Sequence, residues 1–168
     1  MKALAPRLVL AALAATLALA APAAAKDGLS GKKVLRAPLT GSTPGQTDLN
    51  VKAGGAPWVI GESRAIARED GRIRVRFEGL VIPALGTTGP VKTVAAALFC
   101  NGMWWTTTHA FPIDNATGDA EFEDEVTPPP SSCADPAILI APNPANQGPP
   151  AAYIAATNPE DFVTPAAP

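Results

Sequence analysis

The chain has 168 residues, with 13 Lys and Arg against 15 Asp and Glu, one His, two Cys and 19 Pro. Its net charge of −2 lacks the basic footprint on which general nucleic-acid affinity depends. One histidine falls short of the two that a blue-copper set needs, and a zinc set would have to draw its ligands from carboxylates.

In chain order, the first expected element is a secretory signal peptide over residues 1–25. Lys2 and Arg7 form a short basic region, Leu8 to Ala20 an unbroken apolar core, and Ala23-Ala24-Ala25 a small-residue cleavage box. The apolar run is shorter than the roughly 20 residues that cross a bilayer, and no second such run follows, so no membrane span is expected. Without Lys2 and Arg7 the remainder carries 11 basic against 15 acidic residues, a net charge of −4. Its length suits one domain. An exported chain with an even cysteine count favours a disulfide, here Cys100 to Cys133. Closing a loop of that size stabilises a fold by roughly 3–4 kcal/mol in the chain-entropy description.

Residues 26–56 read as a flexible N-terminal segment with one candidate edge strand in "VLRAPLTG", followed by the connector "STPGQTDLNVKAGGAP". From residue 57 to 157 the pattern is that of a β-sandwich domain. In "RIRVRFEGL", Ile73, Val75 and Phe77 alternate with Arg72, Arg74, Arg76 and Glu78, the period of a half-buried strand. The turn signal Arg68–Gly71 precedes it, so Trp58–Ala67 and Arg72–Leu80 are expected to form a hairpin, with a bulge near Gly61. "VKTVAAALFC" and "MWWTTTHA" make a second hairpin through Asn101-Gly102, because both central residues of such a turn need φ > 0. A two-residue turn sets Cys100 opposite Met103, Phe99 opposite Trp104 and Leu98 opposite Trp105. Val94, Ala96, Leu98, Cys100, Met103, Trp105, Thr107 and His109 then share one face, the better core face. Ala95, Ala97, Phe99, Trp104, Thr106 and Thr108 share the other.

"GDAEFEDEV" is a strand with one acidic face, "PAILIAP" a short buried strand and "AAYIAAT" the last strand, separated by the loops "TPPPSSC" and "NPANQGPP". Residues 158–168 read as a Pro/Ala-rich tail. With no helix expected after the signal peptide, seven to eight short strands indicate an all-β, antiparallel, immunoglobulin-like sandwich.

The stretches "DGRIRVRFEGLVIP", "VAAALFCNG", "GDAEFEDEV", "CADPAILIAP" and "YIAAT" together resemble a group of small secreted bacterial β-sandwich proteins with one disulfide. The shared positions belong to the fold. The resemblance implies no activity and carries over no catalytic residue.

Candidate chemistry is sparse. Cys100, Met103 and His109 suggest copper when read along the line, but the expected disulfide and the missing second histidine argue for a strand-end histidine. A Ser-His-Asp triad would need His109, and Ser30, Ser42, Ser63, Ser131 and Ser132 all lie outside a G-x-S-x-G elbow; Asp114 lies five residues from His109 with no geometric reason to meet it. The acidic residues Asp119, Glu121, Glu123, Asp124 and Glu125 could serve glycoside hydrolysis or Ca²⁺, but they lack the spacing of a D-x-D-x-D-G loop. A solvated face, or a cross-strand ladder against Arg72, Arg74 and Arg76, explains them more simply. Arg64 and Arg68 join those arginines in a basic patch that blunts edge aggregation or contacts an anionic wall polymer. "Asn115-Ala116-Thr117" matches a glycosylation acceptor, a match without content under a bacterial-style signal peptide.

Phe99 and Trp104, flanked by Thr106 and Thr108, are the expected ligand-binding residues. If their face is open they form a platform for a sugar ring or a protein surface; if a loop such as Pro142–Pro150 covers it, they form a second small core. The sequence therefore supports a secreted, monomeric, non-enzymatic binding or structural domain at the cell surface or in the medium. Its expected ligand is a carbohydrate or protein surface, with no cofactor, metal or nucleic acid. A secreted hydrolase using Glu121, Glu123 and Glu125 is the alternative.

Overall fold

The computed structural model describes residues 31–157; the expected signal peptide and C-terminal tail lie outside the described residues. Twelve strands are present: β1 (Lys33–Ala37), β2 (Leu39–Gly41), β3 (Thr47–Asp48), β4 (Val51–Lys52), β5 (Ser63–Arg68) and β6 (Arg72–Phe77), then β7 (Thr93–Cys100), β8 (Met103–Thr107), β9 (Phe111–Pro112), β10 (Ala120–Glu125), β11 (Ala137–Pro142) and β12 (Ala155–Thr157). Seven of them reach five residues or more. No described residue is helical, and no described helix is long and apolar enough to cross a membrane.

The strands form a β-sandwich of two antiparallel sheets. Sheet A has the order β1-β5-β6-β10. Sheet B has the order β2-β12-β11-β7-β8, with β9 also paired to β7. The segment read as a flexible N-terminus contributes to both sheets: β1 pairs β5 and β2 pairs β12. Pro38 stands between them, where a ring without an N–H costs no ladder bond. Ser63 secures this crossover, its Oγ accepting from the Leu39 N–H at 2.9 Å and donating to the Leu39 carbonyl at 3.1 Å.

Alternation fixes the inner faces. Ile73, Val75 and Phe77 are buried between the sheets with Ala65, Ala67 and Phe122, against Val94, Ala96, Leu98, Ile138 and Ile140 of sheet B. The turn between β5 and β6 requires glycine: Gly71 has φ +89°, and a Cβ there would stand 2.2 Å from the Val126 carbonyl oxygen.

β7 and β11 are buried on both faces, as their near-continuous apolar runs demand. Their outward side chains Ala97, Phe99, Ala137 and Leu139 form a second cluster with Val51 and Tyr153. The β3–β4 hairpin therefore covers part of the outer face of sheet B. The disulfide joins Cys100, at the end of β7, to Cys133, in the loop before β11, so it ties two neighbouring parts of sheet B.

Candidate functional site

β8 is the terminal strand of sheet B, and its path is set by the Asn101-Gly102 turn. Both residues have positive φ, 54° and 74°, and they place Cys100 opposite Met103 and Phe99 opposite Trp104 as expected. Beyond that pair the expected register fails. A bulge gives β8 one extra residue, Trp105, so Leu98 pairs with Thr106 and Ala97 with Thr107. Because residues directly opposite share a face, Thr106 and Thr107 exchange the faces assigned to them by simple alternation.

The bulge decides what each side chain can do. Phe99 is only 2% exposed, packed in the second cluster with Val51 and Tyr153, while the 143–150 loop reaches the same face at Thr107. Of the two readings of Phe99 and Trp104, the burial of Phe99 agrees with a second small core and not with an open two-ring platform. Thr108 is buried as well, its Oγ1 accepting from the Ala96 N–H at 3.0 Å and donating to the His109 carbonyl at 2.9 Å. Thr106 is half-buried. Of the four expected binding residues, Trp104 alone keeps substantial exposure, 38%.

Two residues missed as candidates stand beside it: Met103 is 70% exposed and Trp105 38%. The indole N–H groups of both tryptophans are already used. Trp104 Nε1 donates to Thr107 Oγ1 at 2.9 Å, and that hydroxyl donates to the Gly148 carbonyl at 2.8 Å. Trp105 Nε1 donates to the Pro128 carbonyl at 3.0 Å. The first bond pins Trp104 toward the 143–150 loop and the second pins Trp105 toward the segment after β10. What remains free on both is apolar ring surface, the part that contacts a partner.

His109 meets Asp124, not Asp114. Both its backbone N–H and its Nδ1 lie within 2.9 Å of Asp124 Oδ2. Asp114 instead accepts from the backbone N–H groups of Ala116 and Thr117, which hold its carboxyl below the usual range. Among the described residues no serine hydroxyl hydrogen-bonds to His109. The pair and the Trp105 bond instead link the β8 side of sheet B to the β10 side of sheet A. Among the described residues no group of three or more His, Cys, Asp and Glu could hold a metal ion.

The acidic strand forms a ladder with its neighbour. Glu121 Oε1 lies 2.5 Å from Arg74 Nη2 and Glu123 Oε1 lies 3.5 Å from Arg72 Nε, both diagonal to the strand register. The Arg74 hydrogen bond lowers the Glu121 pKa from the ordinary value, the reverse of the shift that makes a carboxyl a general acid near neutrality. Elsewhere on this face the register sets like charges directly opposite each other, Lys33 against Arg68 and Arg64 against Arg76. Such pairs are destabilising.

A cleft of about 630 Å³ lies beside the second cluster, lined by Ser42, Asp48, Asn101, Asp135, Leu139 and Tyr153 among others. Tyr153 donates its hydroxyl to Asp48 Oδ2 at 2.5 Å. Burial first, and the Asp48 carboxylate second, push the tyrosine pKa up. No motif joins two residues 105 positions apart, so sequence reasoning missed this site.

In comparisons with known proteins, no family model matches the chain, and no curated protein or solved structure matches it significantly.

Proposed function

We propose that this is a secreted, non-enzymatic binding domain that docks a protein partner along β8. The supporting observation is the run of three consecutive large apolar side chains, Met103, Trp104 and Trp105, exposed on a strand with a second edge unpaired among the described residues. Trp and Met are the residue types that interfaces favour. Their distribution suits an extended segment more than a flat sugar ring, because the two indoles are pinned to opposite sides of the strand. Backbone groups along β8 would pair with the added segment while the indoles cover its side chains. The expectation of secretion rests on the N-terminal sequence, and the disulfide is compatible with an oxidising compartment. An immunoglobulin-like assignment of the sandwich is supported by sheet B, where β12-β11-β7-β8 has the order of a G-F-C-C′ sheet and the first strand is split between sheets. The consecutive β5–β6 hairpin in sheet A departs from that pattern.

The test is selection of a random displayed peptide library on the purified protein. Enriched peptides should have alternating apolar residues and should lose at least ~10-fold in affinity on Trp104→Ala, as expected for a hot-spot residue. If no peptide is enriched, and gluco- or chito-oligosaccharides shift the tryptophan fluorescence instead, the surface is a carbohydrate site and the strand-addition reading falls.

A further inference from the structure

We infer that the outer face of sheet A is a second, separate binding surface, for a linear anionic glycan. Two hollows lie on this face. One, of about 200 Å³, is lined by Lys33, Arg36, Arg68, Arg72 and Arg74 around Ile66, with Glu123 as its one carboxylate. The other, of about 380 Å³, is lined by Arg64, Arg74 and Arg76 with Glu62 and Glu121. Both include Ile66 and Arg74. They are therefore the two ends of one trough running along β5, with β1 on one side and β6 on the other.

Three features give the trough its ligand chemistry. First, its cations are only partly neutralised: Arg72, Arg74 and Arg76 each reach one glutamate, but like charges still stand opposite each other. Lys33 opposes Arg68 and Arg64 opposes Arg76, while the strand that supplies counter-charges, β10, lies on the far side of β6. Arg36 and Arg64 make no hydrogen bond or ion pair among the described residues. An anion laid between these like-charged pairs would remove their repulsion, so the protein gains on binding what it forgoes on folding. Second, all but one of the cations are arginine, whose planar fork bonds a carboxylate or phosphate through two parallel N–H groups. Third, arginines at alternate positions of β6 repeat at about 7 Å, and six residues of β5 span roughly 20 Å. That length accommodates several charged units of a polymer and is too long for a single ion.

The trough also excludes other polyanions. Its only apolar lining residue is Ile66, and it has no aromatic side chain on which an unpaired base could stack, as single-stranded nucleic acid requires. It has no large exposed apolar residue to enter a bilayer. A linear glycan bearing one oxyanion on each unit, either a uronate carboxylate or a polyol phosphodiester, needs neither.

Isothermal titration of the purified protein tests this with galacturonate oligomers of one to eight units and with short poly(glycerol phosphate). Neutral dextran and an oligothymidylate of matched charge serve as controls. The longer anionic glycans should bind and the monomer should not, and affinity should fall at least ~10-fold between about 50 and about 300 mM NaCl. Binding by only one of the two polymers identifies carboxylate or phosphodiester as the recognised group; binding by both assigns the site to charge spacing. Arg36→Gln and Arg64→Glu should each weaken binding at least ~3-fold. Arg64→Glu sets a carboxylate opposite Arg76 and should not lower the melting temperature, which separates loss of binding from loss of fold. Trp104→Ala should leave glycan affinity unchanged. Absence of binding, affinity indifferent to both arginine substitutions, or tighter binding of the oligothymidylate would each overturn the assignment.

Discussion

The two sheets turn different outer faces to their surroundings. On sheet A, β6 and β10 alternate strictly, so every second side chain is Arg or Glu and the face remains charged and open. On sheet B, β7 and β11 are apolar at nearly every position, and the face can exist only because the β3–β4 hairpin and Tyr153 cover it. The sandwich is thus two-layered at sheet A and locally three-layered at sheet B. The charged face stays exposed to solvent, whereas aromatic groups on the covered face are buried until they reach the uncovered edge at β8.

The contrast can be broken at its centre. Phe99→Ala should destabilise the protein by about 3–5 kcal/mol, the range for emptying a well-packed aromatic site. Ile66→Ala, on the open face of sheet A, should cost under about 1 kcal/mol. Urea midpoints of the two variants measure both, and comparable losses would mean that the outer layer over sheet B contributes little.

Removing the disulfide with Cys100→Ala and Cys133→Ala should lower stability by about 3–4 kcal/mol, because the bridge closes a separation of 33 residues within the covered sheet. The wild type in reductant should follow the double variant in the same urea titration. A drop well below 1 kcal/mol, on the scale of an ordinary surface change, would show that the loop before β11 is held by its other contacts, such as the bonds between Asn101 and Ala134.

Tyr153→Phe should cost about 1.5–3 kcal/mol near neutral pH, the loss of a hydrogen bond to a carboxylate. Folding raises the pKa of this hydroxyl, so its contribution is complete below the unfolded value of about 10 and is lost as pH rises above it. The chain contains one tyrosine, so ultraviolet absorbance reports Tyr153 alone. Its ionisation should lag behind that of a free tyrosine until the protein unfolds, and titration at the ordinary pH would show the cleft to be open to water.

How much of this was legible in the sequence depended on range. The Asn-Gly turn, the alternation of β6 and the pairing of the cysteines are local or combinatorially simple, and each led directly to its element. The bulge at Trp105 was not legible, because nothing in "MWWTTT" distinguishes a regular strand from one with an extra residue. That single residue reassigned Thr106 and Thr107. The burial of Phe99 was open to two readings, and its covering side chains include Val51 of the β3–β4 hairpin, drawn from a segment that looks like a connector. The cation trough was half legible: Arg72, Arg74 and Arg76 stand out, whereas Lys33 and Arg36 join them only through the pairing of β1 with β5. The His109–Asp124 pair arises in the same way, from two sheets meeting at one side.

The split first strand also has a consequence for when the protein can fold. Residues 39–41 pair with residues 155–157, so sheet B lacks its closing strand until almost the whole described chain is present. Contacts between such distant positions are slow to form, since a long loop must be ordered before they return any free energy. A chain emerging from its N-terminus would carry β2 with its eventual partner still unmade. Completion of sheet B is thereby coupled to arrival of β12, whereas the four strands of sheet A are all present by Glu125.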